Sequence, residues 1–149
     1  MKHAVKLGLL LFIIISISSC KKPSNRELLV DKAWMLSGFT VNPPIREQSD
    51  LYTDLDSCEK DDIEYFYADG RYVWDKGAVP CDDEFDEGQK SNANWAFNEE
   101  QTEITIKYPE GDSETITIET LNDTLLVVSY TEDYGSITYK FTDTYKATY

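Results

Sequence analysis

The chain has 149 residues and a formal charge of −14, with 28 acidic against 14 basic side chains and one histidine, His3. Such acidity repels nucleic acid and anionic lipid, so neither is an expected partner of the folded part. His3 lies in a segment expected to be removed, which excludes Ser-His-Asp and Cys-His machinery, an H-E-x-x-H zinc site and any histidine proton shuttle.

Residues 1–19 read as a signal peptide. Lys2 and Lys6 give a positive start, and Leu7 to Ile17 forms an apolar run too short to span a hydrocarbon core of about 30 Å. Ile17-Ser18-Ser19-Cys20 follows, an aliphatic residue and two small ones before a cysteine, the pattern of a lipobox. The small side chains let the backbone enter a protease cleft, and the Cys20 thiol is the atom that takes the diacylglycerol. Further acylation gives two or three chains, which hold a protein stably where one chain holds it only marginally. The expected product is a membrane-anchored, palmitate-bearing lipoprotein. Lys21 behind the cysteine, with no acidic residues in the tether, favours the outer membrane and its periplasmic leaflet. Processing removes Lys2 and Lys6 and no acid, taking the charge from −14 to −16.

Residues 20–26 form a polar tether, and residues 27–149 are expected to be one domain. Ser24-Asn25-Arg26-Glu27 fits a capping box and predicts a short helix through Val30. Beyond it the chain is strand-like, rich in Thr, Tyr, Ile, Val, Phe and Trp. Strands are expected at 33–41 (bulged near Gly38), 63–68, 71–76, 94–98, 103–108, 114–121, 124–131 and 136–145. Asp69-Gly70, Glu110-Gly111-Asp112, Asn122-Asp123 and Tyr134-Gly135 supply the turns. Longer loops run from Asn42 to Asp62 and from Gly77 to Asn92.

No connection between the later strands is long enough for a crossover helix, so neighbours in sequence pair antiparallel. Eight such strands predict an all-β, up-and-down barrel, because closure removes exposed edges. A two-residue turn at Asp69-Gly70 would set Tyr65 opposite Trp74 and Tyr67 opposite Tyr72, with Glu64 opposite Asp75 on the other face. The aromatic face would then be the core. With Cys20 lipidated, Cys58 and Cys81 remain as an even pair in an oxidising compartment and are expected to form a disulfide. Closing that loop contributes about 3 kcal/mol. The two cysteines fall opposite one another in the same register; a bulged turn at Gly70 would shift it by one residue.

Trp34, Cys58 with Asp61-Asp62, Phe66 to Tyr72, Gly77 followed by Cys81, Trp95, and Leu121 to Val128 form one set along the chain. In that set the layout resembles the lipocalin-like domain of Bacteroidota lipoproteins. Lys32 stands where lipocalins have glycine two residues before the first-strand tryptophan. The last strand offers Lys140 and no arginine to stack on that ring. The resemblance implies a calyx-like barrel and carries no particular activity with it.

The aromatic set Trp34, Phe66, Tyr72, Trp74, Trp95 and Phe97 is the candidate lining of a ligand cavity, with tyrosine hydroxyls to orient a guest. A barrel of this size holds either packed side chains or one small ligand, and the sequence leaves both open. The acidic run from Asp82 to Glu87 offers calcium-type ligands, but Gly88 and Ala93 break EF-hand spacing, and a solvated loop is the better reading. The 28 acids do not single out a glycosidase pair. The expectation is therefore a monomeric, membrane-tethered binding module for a small apolar or amphipathic molecule, with no enzyme activity, cofactor or metal. The alternative is a structural or protein-interaction module of the cell envelope.

Overall fold

The computed structural model describes residues 22–79, 81 and 91–148; the signal-peptide segment, Cys20 and the acidic run 82–87 lie outside them. The capping box forms. Ser24 Oγ accepts the Glu27 backbone N–H at 3.3 Å, and Glu27 Oε2 accepts the Ser24 N–H at 2.7 Å. These two bonds satisfy donors that a helix start would otherwise leave orphaned, and they hold α1, Asn25–Leu29. Asn25 and Arg26 are thus its first two residues, as the capping box predicts.

Among the described residues the strands are β1 (Ala33–Ile45), β2 (Gln48–Asp50), β3 (Ile63–Phe66), β4 (Arg71–Asp75), β5 (Ser91–Phe97), β6 (Glu103–Lys107), β7 (Ser113–Leu121), β8 (Leu125–Tyr134) and β9 (Ile137–Thr148). A 3-10 turn at Tyr52–Asp54 and a short helix α2 at Ser57–Lys60 precede β3. Each strand from β3 to β8 pairs antiparallel with the next, and β9 returns to β1 over Ala33↔Thr148 to Asn42↔Lys140. With β1–β3 pairing at Ala33 to Met35, eight strands close the expected barrel. The β1–β9 ladder shifts between Leu36 and Gly38, a bulge that bends β1.

Two local expectations are corrected. β1 runs on to Ile45 and folds back as the short β2, within a stretch expected to be loop. Pro43 and Pro44 are tolerated because they lie past the last β9 partner, Asn42, and before Ile45↔Gln48, where no ladder needs their missing N–H groups. The β3–β4 register is also shifted by one residue. Tyr67 N–H donates to Arg71 O at 2.9 Å and Gly70 N–H to Tyr67 O at 3.0 Å, so Ala68-Asp69-Gly70 is the loop, with Gly70 at φ 92°. Glu64 therefore opposes Trp74 and Phe66 opposes Tyr72. Tyr65 and Tyr67 stack on each other at 6.2 Å along the opposite face, and Glu64 points inward.

α1 plugs one end of the barrel. Asn25 Nδ2 donates to Gln101 O at 2.8 Å, Arg26 to Ala68 O at 2.7 Å, and Lys32 to Asp123 O at 3.2 Å, so this segment is tied to three hairpin tips. The fully buried Trp34 donates its indole N–H to Leu29 O at 2.9 Å. Around it pack Leu29, Phe66, Trp95, Ile104 and Leu126, with Phe66 and Trp95 edge to face at 5.5 Å. The cation over Trp34 is Lys32 at 5.8 Å, since Lys140 pairs with Glu119 elsewhere.

The other end is stapled instead. Cys58 in α2 and Cys81 after β4 form the expected disulfide, with Cα atoms 5.3 Å apart. Beside it Asp61 Oδ2 accepts the Ala78 and Val79 N–H groups, both at 2.8 Å. Gly77 has φ +72°, and a Cβ there would come within 2.5 Å of Asp61 side-chain and backbone atoms. Gly77→Ala is expected to cost about 2 kcal/mol or more through this clash and the left-handed backbone. Urea unfolding of the oxidised protein measures it; a loss under about 0.5 kcal/mol would show that the loop gives way freely.

Candidate functional site

Beyond the aromatic plug the barrel is not filled. A half-open cavity of about 220 Å³ lies toward the end away from α1. A water molecule's share of liquid is about 30 Å³, so this space exceeds a single water. Its floor is Ile106 and Val128, both almost fully buried. β4 contributes Tyr72 and Trp74, and β7 contributes Glu114 and Ile116. β3 supplies Glu64, β8 Tyr130, β9 Asp143 and Tyr145, and Tyr108 stands just past β6. Ala93 of β5 sits opposite Tyr72 and is buried in the packed core, outside the cavity lining.

Alternation along the strands explains why polar groups share this interior. Asp143 lies two residues from Phe141 and two from Tyr145, both buried, so the pleat points it inward. Glu114 shares a face with Ile116 and Ile118, and Glu64 with Phe66, by the same rule. Tyr145 donates its hydroxyl to Glu64 Oε1 at 2.7 Å, and Tyr108 donates to Glu114 Oε1 at 2.6 Å. Trp74 directs its indole N–H to Asp62 at 3.0 Å, which fixes the ring at the rim. Asp143 Oδ1 is buried and has no hydrogen-bond partner among the described residues, while the Tyr145 hydroxyl interacts with the same carboxyl group.

The electrostatics follow from this enclosure. Burial pushes the Glu64 carboxyl up to about 7; Tyr145's hydrogen bond opposes the shift, and the Asp143 and Glu114 charges add to it. Asp143 is pushed up to about 6, by burial first and by Glu114 second. Burial likewise raises the phenols of Tyr72, Tyr108, Tyr130 and Tyr145, which stay neutral donors. The described lining contains no lysine, arginine or histidine.

The profile of the lipocalin-like domain matches residues 30–128. The chain belongs to the lipocalin-like domain family. No curated protein matches it. In this lipocalin-like barrel the six aromatic candidates divide between two places. Tyr72 and Trp74 line the cavity. Trp34, Phe66 and Trp95 pack in the plugged end, and Phe97 lies half-buried against Trp95 at 5.2 Å. Cys58 and Cys81 staple the segments beside β3 and β4, and Cys20 lies outside the described residues.

Sequence reasoning passed over the carboxylates Glu64, Glu114 and Asp143 and the tyrosines Tyr108, Tyr130 and Tyr145. A signal existed for two of the acids. Counting by twos from Ile116 and Ile118 back to Glu114, and from Tyr145 back to Asp143, puts both on apolar faces.

Proposed function

We propose that this lipocalin-like protein is a membrane-tethered binding module that holds one small amphipathic molecule in the half-open end of its barrel. The observation that carries this reading is the cavity itself, walled by apolar, aromatic and polar groups together. Such mixed lining orients a guest by a few polar contacts while its body leaves water. The wall is too polar for a purely apolar guest, which would leave carboxyl and phenol groups without partners.

The tether gives the module a direction. If Cys20 carries the lipid, three residues lie between it and Ser24 at the plugged end, four residue steps with a reach of at most about 14 Å. The plugged end then sits at the bilayer, and the mouth faces away from it. A guest would arrive from the aqueous side of the outer membrane's periplasmic leaflet, not straight from the lipid. The single domain works as a monomer in this reading, without turnover.

Native mass spectrometry of the protein extracted from its host tests the reading, with a co-purifying small molecule as the expected result. A chain that stays at its own mass there, and that binds no member of a panel of amphipathic small molecules, would overturn it. Palmitate labelling lost in Cys20→Ser checks the anchor separately.

A further inference from the structure

The charge of the cavity narrows the guest further, on the footing of the binding reading above. We infer that the cavity takes an organic cation: a small amphipathic molecule whose protonated amine enters among Glu64, Asp143 and Glu114 while its apolar body lies against Trp74 and Ile106.

Three strands, β3, β7 and β9, each point one carboxylate into the same space, and no basic side chain of the described lining answers them. Lys76 beside Trp74 is not part of the lining; its Nζ lies 4.0 Å from the Trp74 ring centroid and 3.8 Å from Asp62. A carboxylate-headed guest would meet like charge in a poorly solvated place. Two of the four phenols of the lining are already committed to carboxylates, Tyr145 to Glu64 and Tyr108 to Glu114, and are not offered to an anion. A neutral guest without a donor leaves Asp143 Oδ1 buried and unsatisfied. An ammonium group answers all of these at once, with three donors and a positive charge. The aromatic side chains of Tyr72 and Tyr130 in the same lining suit a cation as well.

Proton linkage supplies an independent mark. Glu64 and Asp143 hold protons more tightly than ordinary carboxyls, and an incoming ammonium drives those protons off. The other titratable groups facing the space are Glu114 and the phenols of Tyr72, Tyr108, Tyr130 and Tyr145. Burial raises the four phenols, so none of them ionises near neutral pH. An alkylamine stays charged below about pH 10. Amine affinity should therefore rise with pH from about 5 to about 8, with proton release on binding.

Calorimetry on the mature, oxidised chain with three probes of one shape tests this: phenethylamine, 2-phenylethanol and phenylacetate. Near pH 8 the amine is expected to bind roughly tenfold or more tighter than the alcohol, and phenylacetate weakest. Near pH 5 the amine should lose roughly tenfold and the alcohol nothing. Glu64→Gln and Asp143→Asn should each weaken the amine by about tenfold and spare the alcohol, which shows that the variants remain folded. Alcohol or phenylacetate binding as tightly as the amine would overturn the cation inference and leave the binding module standing. No saturable binding of any of the three would overturn both.

Discussion

Glu64→Gln is expected to stabilise the protein near pH 8 by on the order of 3 kcal/mol and to change it little near pH 4. Burial lifts the Glu64 carboxyl from 4.5 to about 7, so the folded chain binds this proton more tightly than the unfolded chain does. A raised value means that the favourable contribution is full below about pH 4.5 and is lost as pH climbs through about 7. Wild-type stability should accordingly fall across that window. Glutamine has the shape of the protonated acid, and its carbonyl oxygen can still accept the Tyr145 hydroxyl at the place of Glu64 Oε1. It therefore removes the fall and not the bond. Asp143, raised to about 6, contributes in the same direction and remains in the variant, so some slope should persist. Surface acids such as Glu119, held low by Lys140 and Ser129, slope the other way in both proteins and cancel in the difference. Urea unfolding of both proteins at several pH values is the measurement. An equal difference at pH 4 and pH 8, or a destabilisation near pH 8, would show that Glu64 is as well solvated as a surface acid.

A buried acid that weakens the fold above about pH 7 marks a site shaped for something other than stability. It is also the feature that sequence reasoning could not reach. The barrel was legible because its causes are local: alternating Thr, Ile, Val and Tyr, and turn residues at the right intervals. Gly70, Gly111 and Gly135 all take positive φ at hairpin tips, and Asn122 Oδ1 caps its turn by accepting the Thr124 and Leu125 N–H groups. Closure followed from the lack of any crossover. The site depends on something finer, the parity of one strand. Asp69-Gly70 fits both a two-residue turn and a bulged three-residue loop, and the choice decides whether Glu64 or Tyr65 faces inward. The bulged loop forms here because Tyr67 pairs with Arg71, with Asp69 accepting the Arg71 N–H at 3.1 Å. The disulfide tolerates either register and so did not discriminate between them. How the aromatics divide was equally hidden, since nothing in the sequence says that α1 folds under one end and draws Trp34, Phe66 and Trp95 to it.

The division between a packed end and an open end makes the second large effect opposite in sign. Trp34→Ala is expected to cost about 4 kcal/mol at any pH between about 5 and 8. The indole is fully buried at the centre of the plug, and its removal leaves a cavity that neighbours on four rigid strands cannot refill. It also orphans Leu29 O, the acceptor that docks α1 onto the barrel. Because α1 has only five residues, it cannot persist on its own once undocked. Amide exchange at Leu28, Leu29 and Val30 should then approach that of a free peptide, while β8 and β9 near Tyr130 and Asp143 keep their protection. Trp34→Phe should fall between, keeping most of the apolar contact and losing the hydrogen bond, about 1 kcal/mol of the difference. A loss below about 1 kcal/mol in Trp34→Ala, or exchange rising equally at both ends, would mean that the two ends are not separate energetic units. The expected pattern assigns stability to the plug and leaves the mouth free to carry uncompensated carboxylates: the same barrel can absorb the cost of Glu64 because Trp34 lies at the other end of it.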